Sequence, residues 1–520
     1  MKRFSALFLS VLILTGIFAV CNKDEPISES SEIVLSDNGV TVNGKKATSD
    51  KTDAVYVAND IIYYEDGHDF TYGEGSESEA HSKTEADAHT VVHITKGGNY
   101  TISGKLSKGQ VAIDLGDDAK DNPDAVVNLT LSNAYVTCEV APAIIFYNVY
   151  ECCEADEETA TNDVDTSKAG ANVIIADGSE NEINGSYVAK IYKADSVVLS
   201  EDGKEVKDAD KLHKYDGAFY SKMSMNIYGG EKGDGVLNIN ADNEGLDSEL
   251  HLTINSGNIN IASGNDGINT NEDNVSVTTI NGGSVNIFVD GKTGEGDGID
   301  SNGWLVINGG TLFAQACATS GDAGIDSDKG IHINGGTVFA TGNMLDRIDE
   351  SNQNFAVFNF ETSQNSGTYS LKNSSDTILF ENEITNKFSY LIFSCAELSE
   401  GKYTLWNGEN QLQGAKSENG FAGGMSQPAE GMSMPEGIQP SEGMSRPEGA
   451  PPEDFSNPDG NMPPEGMTRP ELPEGITLPE GMSAPDIHQR PGHIAQVENN
   501  AKTSEIFEIT KGGNYFVSVK

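Results

Sequence analysis

Four segments read alike, and their spacing restricts this chain more than any other feature. They are Asn243-Glu244-Gly245-Leu246-Asp247-Ser248, Asn265-Asp266-Gly267-Ile268-Asn269-Thr270, Gly296-Asp297-Gly298-Ile299-Asp300-Ser301 and Asp322-Ala323-Gly324-Ile325-Asp326-Ser327. Asp216-Gly217-Ala218-Phe219-Tyr220-Ser221 is a weaker relative. A second marker trails each of the four: Ile254-Asn255-Ser256-Gly257, then Ile-Asn-Gly-Gly ending at Gly283, Gly310 and Gly336, with the final glycines 26, 27 and 26 residues apart. After these glycines apolar residues fall on every second position, as in Gly257-Asn258-Ile259-Asn260-Ile261 and Gly336-Thr337-Val338-Phe339-Ala340. Alternation of period two is strand geometry, and the absence of a 3.6-residue period disfavours βα repeats. A unit this short cannot bury its inward residues alone. Stacking equivalent strands at roughly 4.8 Å closes a continuous core. The expectation is an all-β solenoid of the parallel β-helix type.

The rest of the chain divides around that repeat. Met1-Lys2-Arg3 and the uncharged run from Phe4 to Val20 read as a signal peptide, too short for a bilayer span. Residues 1–21 therefore end at Cys21, the expected lipid-attachment site, and Asn22-Lys23-Asp24-Glu25 resembles an export signal of surface lipoproteins. An exported protein at the cell surface or outer membrane, anchored to the membrane through a lipid on Cys21, is expected. Residues 22–90 form an N-terminal segment and cap, and 91–350 the β-helix, interrupted by insertions at about 148–170 and 190–215. Residues 351–422 form a small β-sandwich-like module, and 423–495 a low-complexity insertion rich in Pro, Gly, Met and Glu. Residues 496–520 supply closing strands of that module. Cys138, Cys152, Cys153, Cys317 and Cys395 are odd in number and irregular in spacing, so no disulfide framework is expected.

Charge narrows the partners. With 81 acidic against 33 basic residues, the formal charge is −48. Nucleic acid is excluded as a partner, since phosphate must be met by Lys and Arg. Cations are favoured. Alternation puts Ile268, Ile299 and Ile325 on one face, and Asn269, Asp300 and Asp326 on the other, with Leu246 and Asp247 one coil earlier. Asp266 and Asp297 stand two residues before their isoleucines, and Asp322 three before. Stacking lines these acids up about 5 Å apart, where two charges repel by roughly 0.8 kcal/mol in water and more near protein. Either salt screens the column or a cation sits between coils. Calcium fits as a hard ion taking six to eight oxygens, whereas zinc and copper lack Cys or clustered His here. The candidate metal ligands are Asp247, Asp266, Asp297, Asp300, Asp322 and Asp326. The alternative is that Asp, Asn and Gly simply make good turns, and for the Asn255, Asn281, Asn308 and Asn334 column a turn ladder is the expectation.

Trp304, Phe313 and Phe339 alternate outward and are candidate carbohydrate-binding residues, because an aromatic face suits the apolar face of a sugar ring. A ladder covered by the downstream module is the competing reading. His251 and His332 are expected at the surface. Catalysis finds little support: between 216 and 346 the lysines are Lys222, Lys232, Lys292 and Lys329, none at an equivalent site of the repeat. No catalytic residue is assigned.

Ile94 to Gly109, Asn128 to Ala134, the Asp/Asn-Gly-Ile-Asp-Ser coils and Gly367 to Trp406 together resemble a known family. It is the carbohydrate-binding domain-containing parallel β-helix family first recognised in a cellulolytic clostridium. The resemblance spans about 33–408 and implies a right-handed β-helix, calcium between coils, and binding of cellulose-like or pectic polysaccharide without cleavage. Family calcium ligands map onto the Asp-Gly-Ile-Asp turns, where Asn269 and Ala323 depart from the acidic pattern. A monomer is expected. A polysaccharide lyase of pectate-lyase type and a structural adhesin remain the alternatives.

Overall fold

The computed structural model describes residues 30–349, 351–417 and 503–520. The signal segment, Cys21 and the low-complexity insertion lie outside them. The described chain is mostly β: Lys83–Asp87 and the 3-10 turn Asp117–Asp121 are its helical pieces. No helix among the described residues is long and apolar enough to cross a membrane.

Each repeat lays down three short strands, and each strand pairs in parallel with its equivalents in the repeats before and after. Met225–Gly229, Leu252–Ile254, Val277–Ile280, Trp304–Ile307 and Gly330–Ile333 stack in chain order. Val236–Ala241, Asn258–Ser263, Ser284–Val289, Thr311–Gln315 and Thr337–Gly342 form a second stack. Gly217–Ser221, Glu244–Ser248, Ile268–Thr270 and Ile299–Ser301 belong to the third, an eight-stranded sheet. The strands Gly98–Leu106 and Val127–Cys138 begin the stacks upstream. Large parallel sheets of this kind are what a β-helix requires.

The register places like on like. Ile259, Val285, Leu312 and Val338 are successive partners, and so are Ile254, Ile280, Ile307 and Ile333. All eight are buried, with Leu246, Ile268, Ile299 and Ile325 fully enclosed on the third wall. These columns build one continuous core. The corner glycines serve it twice. Gly283 has φ 83°, and a Cβ there would stand 2.5 Å from the Gly257 carbonyl oxygen one coil away. Only glycine combines that conformation with that approach.

Antiparallel strands cover one edge of the eight-stranded sheet and the far edge of the second stack, where unpaired backbone would otherwise be presented. Val55–Ala58 closes the eight-stranded sheet in antiparallel fashion against Thr90–Ile94. At the far end Phe388–Ser394 pairs antiparallel with Thr337–Gly342, and Phe355–Gln364 pairs with both Phe388–Ser394 and Gly513–Val519. A five-stranded antiparallel sheet built around Gly367–Asn373 and Gly401–Asn407 contributes to a second hydrophobic core.

That second core corrects the aromatic expectation. Phe339 is 2% exposed, packed edge-on against Phe380 at 4.9 Å. Phe313 stacks on Phe339 at 5.1 Å and packs against the same core. The module that caps the last coil covers Phe339, which is therefore no sugar platform, and packs on Phe313; Phe313 and Trp304 are partly exposed. His251 is also not at the surface. It is 1% exposed, accepting from the Val277 amide through Nδ1 and donating to the Cys153 carbonyl through Nε2. Cys138, Cys317 and Cys395 are free and buried, whereas Cys152 and Cys153 form a vicinal disulfide that the spacing did not suggest.

Candidate functional site

The strand Glu244–Ser248 carries the centre of an acidic face. Its Asp247 is the register partner of Tyr220 on one side and Asn269 on the other, and Asn269 pairs in turn with Asp300. Asp326 follows, its amide bonded to the Ile299 carbonyl at 2.7 Å. Coil-over-coil alignment therefore brings Asp247, Asn269, Asp300 and Asp326 into one column, with leucine or isoleucine beneath each.

Asp266, Asp297 and Asp322 occupy the turn beside it and make bonds between coils. Asp266 accepts the Asp297 amide at 2.6 Å, Asp297 accepts the Ala323 amide at 2.5 Å, and Asp322 accepts the Gly296 amide at 2.6 Å. Each carboxylate thus satisfies a backbone N–H of a neighbouring coil, which is turn chemistry built into the stack.

Three oxygens at the head of the column have no such partner. Glu244 Oε1 accepts from Asn269 Nδ2 at 3.1 Å and Asp247 Oδ1 from Asn271 Nδ2 at 2.7 Å. Glu244 Oε2, Asp247 Oδ2 and Asn269 Oδ1 are buried and meet no fixed hydrogen-bond donor among the described residues, and the Glu244 and Asp247 carboxyls stand close enough to share a proton. An orphaned buried acceptor costs about 1–3 kcal/mol, and more when charged. Beside them Lys214 pairs with Asp216 at 2.7 Å. Lys214 comes from a hairpin, Val188–Tyr192 with Lys211–Tyr215, that fills the second insertion.

Burial and mutual repulsion set the protonation of this face. Desolvation, then Asp216, pushes Glu244 up to about 8. Desolvation, then Glu244, holds Asp247 well above the carboxylate range. Asp266 and Asp297 are raised strongly for the same first reason. Lower in the column burial, then Asp328, lifts Asp300 to about 6, and burial, then Asp346, lifts Asp326 to about 8.

Two buried carboxylates and an amide oxygen from adjacent coils form a hard, all-oxygen donor set that fits calcium, with neither sulfur nor imidazole in it. The row of aspartates anticipated from the sequence does not converge as one cluster. Among the described residues the group of three or more His, Cys, Asp or Glu with ligand atoms within 4.8 Å of one another is Glu151, Cys152 and Cys153. Glu244 and Asn269 were not among the candidate ligands expected from the sequence. The signal was present, since Glu244 stands inside the first repeated motif and an amide oxygen ligates as a carboxylate oxygen does.

A second surface lies on the first stack. Its outward positions form two columns. One runs Asn172, Asn226, Thr253, Thr279, Val306, His332, and the other Ile174, Tyr228, then Asn255, Asn281, Asn308 and Asn334. In the second column Asn281 Nδ2 donates to Asn255 Oδ1 at 3.1 Å, Asn308 to Asn281 at 3.0 Å and Asn334 to Asn308 at 3.0 Å. The insertion that follows Asn148 lies across this face as a strap. Thr166 Oγ1 meets Asn226 Oδ1 and Thr253 Oγ1, each at 2.7 Å, and Asn162 Nδ2 meets His332 Nε2 at 2.9 Å.

The sequence model of a family described as carbohydrate-binding domain-containing protein matches residues 88–388. The chain belongs to this family. The matched span holds both the acidic face and the strapped face. A solved structure titled as the polysaccharide lyase-like protein from C. thermocellum, gadolinium derivative, is similar at 20% identity and TM-score 0.33, over 58% of this chain and 91% of that one. No curated protein matches the chain.

Proposed function

We propose that this family member is a non-catalytic polysaccharide-binding protein whose stack is a right-handed parallel β-helix stabilised by calcium. It is exported and held at the cell surface by a lipid on Cys21, and it takes plant or cell-wall polysaccharide of the cellulose-like or pectic kind. Glu244, Asp247 and Asn269 would hold one ion, and Asp300 with Asp326 lie along the same column. Bound there, calcium supplies charge neutralisation that lets the coils stack. The observation that carries this reading is the trio of buried oxygens without partners, aligned by register on adjacent coils. Lys214, from the same strand as Lys211, is the basic side chain ion-paired within the acids. Its ammonium is ion-paired to Asp216, which suits a charge partner rather than the base of an elimination reaction.

The test is affinity electrophoresis of the full chain in gels containing soluble glycans, beside thermal unfolding with calcium and with chelator. Retardation by at least one glycan and a higher melting temperature in calcium are expected. Unchanged mobility on every glycan, or unfolding indifferent to calcium, would remove the reading. Rising ultraviolet absorbance from unsaturated uronate would instead establish a lyase.

A further inference from the structure

We infer that the glycan lies in the trough on either side of the 149–170 strap, along the stacking axis, and that it is a neutral β-linked hexose chain. This rests on the polysaccharide-binding reading above and locates it away from the acidic face.

The strap divides the outward face of the first stack into two hollows. One, of about 590 Å³, is lined by Tyr150, Tyr228, Ile174, Asn128 and Lys168. The other, of about 420 Å³, has the amide ladder as its floor and strap residues 162–167 as its wall. Ser167 and Tyr228 line both, so the two hollows meet at Tyr228.

The chemistry of this floor is that of a sugar site. Tyr228 and Tyr150 are partly exposed rings, offering an apolar face with a polar tip. Asn281 and Asn308 spend one N–H of each amide on the ladder, and the second N–H meets no acceptor among the described residues. Such groups, with Thr253 and Thr279 alongside, meet hydroxyls one by one. The rungs from Tyr228 through Asn255, Asn281 and Asn308 to Asn334 recur at the strand spacing, roughly 4.8 Å. An extended pyranose chain advances by a similar distance per sugar, so one sugar falls on each rung.

Charge selects among glycans. The floor presents amides and hydroxyls, and the acids at its edge, Asp163 and Asp165, are exposed on the strap. In the ladder hollow a uronate chain would meet these acids with like charge, and Lys168 in the first hollow is a single cation against them, whereas a neutral chain meets no penalty.

The experiment uses the full chain in calcium, with hydroxyethylcellulose, polygalacturonate and cello-oligosaccharides of increasing length. Hydroxyethylcellulose should retard the wild type, and oligosaccharide affinity should climb with each sugar until the rungs of both hollows are filled. Tyr228→Ala should weaken binding about tenfold or more, as truncating an aromatic anchor does. Ser167→Trp places an indole from an exposed position between the two hollows and should weaken binding at least as much, with unfolding unchanged. Because Ser167 is exposed, this variant decides the matter even if Tyr228→Ala folds poorly. Wild-type affinity retained by Ser167→Trp, or binding of polygalacturonate alone, overturns the inference while leaving the polysaccharide-binding reading intact. No binding of any glycan by the wild type overturns both.

Discussion

At Glu244 the fold sets a carboxylate where water does not reach, 4% exposed, with one oxygen unpaired and Asp247 alongside. Without a cation the carboxyl keeps its proton up to about pH 8, which costs stability relative to the unfolded chain, where it ionises freely. Glu244→Gln keeps the shape and the bond to Asn269 while removing the charge. The variant should be more stable than wild type in chelator, on the order of 1–4 kcal/mol. In calcium the order should reverse, because the ion loses a ligand. Urea unfolding under the two conditions measures both, and a variant less stable than wild type in chelator would show that the carboxylate has a structural partner instead. The column of Asp247, Asp300 and Asp326 was legible because period-two parity fixes which residues point out. Parity placed Asn269 on that face too, but neither it nor Glu244 was named as a ligand, since a search for repeated aspartates passes over a glutamate and treats an amide as a break. Lys214 lies in a hairpin outside the repeat, and no periodicity predicts what such a hairpin packs against.

Among the elements, the corners between strands are where stacking is least tolerant. Gly283→Ala must adopt a left-handed conformation and push a methyl into the Gly257 carbonyl, whereas at Gly294, φ 101°, nothing lies within 4 Å of the new carbon. Both substitutions strain the backbone, but only the first collides with the next coil. Gly283→Ala should therefore lower the urea midpoint clearly more than Gly294→Ala, with a cost above about 1 kcal/mol. Equal effects would mean that the coils do not press on one another at that corner. The capping module makes a different demand. Phe339→Ala should cost about 3–5 kcal/mol, since it empties the second core. It should leave the glycan affinity of the folded fraction unaltered; a selective loss of affinity would restore this ring as a sugar platform. The stacked strands were readable from spacing alone, because each repeat is held by the same alternation. The strap was readable only as an interruption. Which face it crosses, and that it buries His251, depends on contacts such as Thr166 with Asn226, made between segments that share no pattern.

For the whole molecule, the raised carboxylates fix the sign of the response to pH. Glu244 and Asp326, each near 8 in the fold, and Asp300, near 6, titrate lower once unfolded. Between about pH 4 and 8 the folded state therefore binds more protons than the unfolded one, and stability in chelator must fall as pH rises through that window. Calcium competes with the same protons, so its binding strengthens as they leave. The increment in melting temperature on adding calcium should accordingly be small near pH 5 and large near pH 8. A chain carrying −48 would also lose stability with rising pH through general repulsion, and salt separates the two causes. At 1 M salt the screening length is about 3 Å, which removes repulsion between exposed charges and leaves buried groups largely unscreened. A pH-dependent calcium increment that survives high salt belongs to the buried column. One that vanishes there would assign the whole effect to the surface, and the paired strands would need no ion between them.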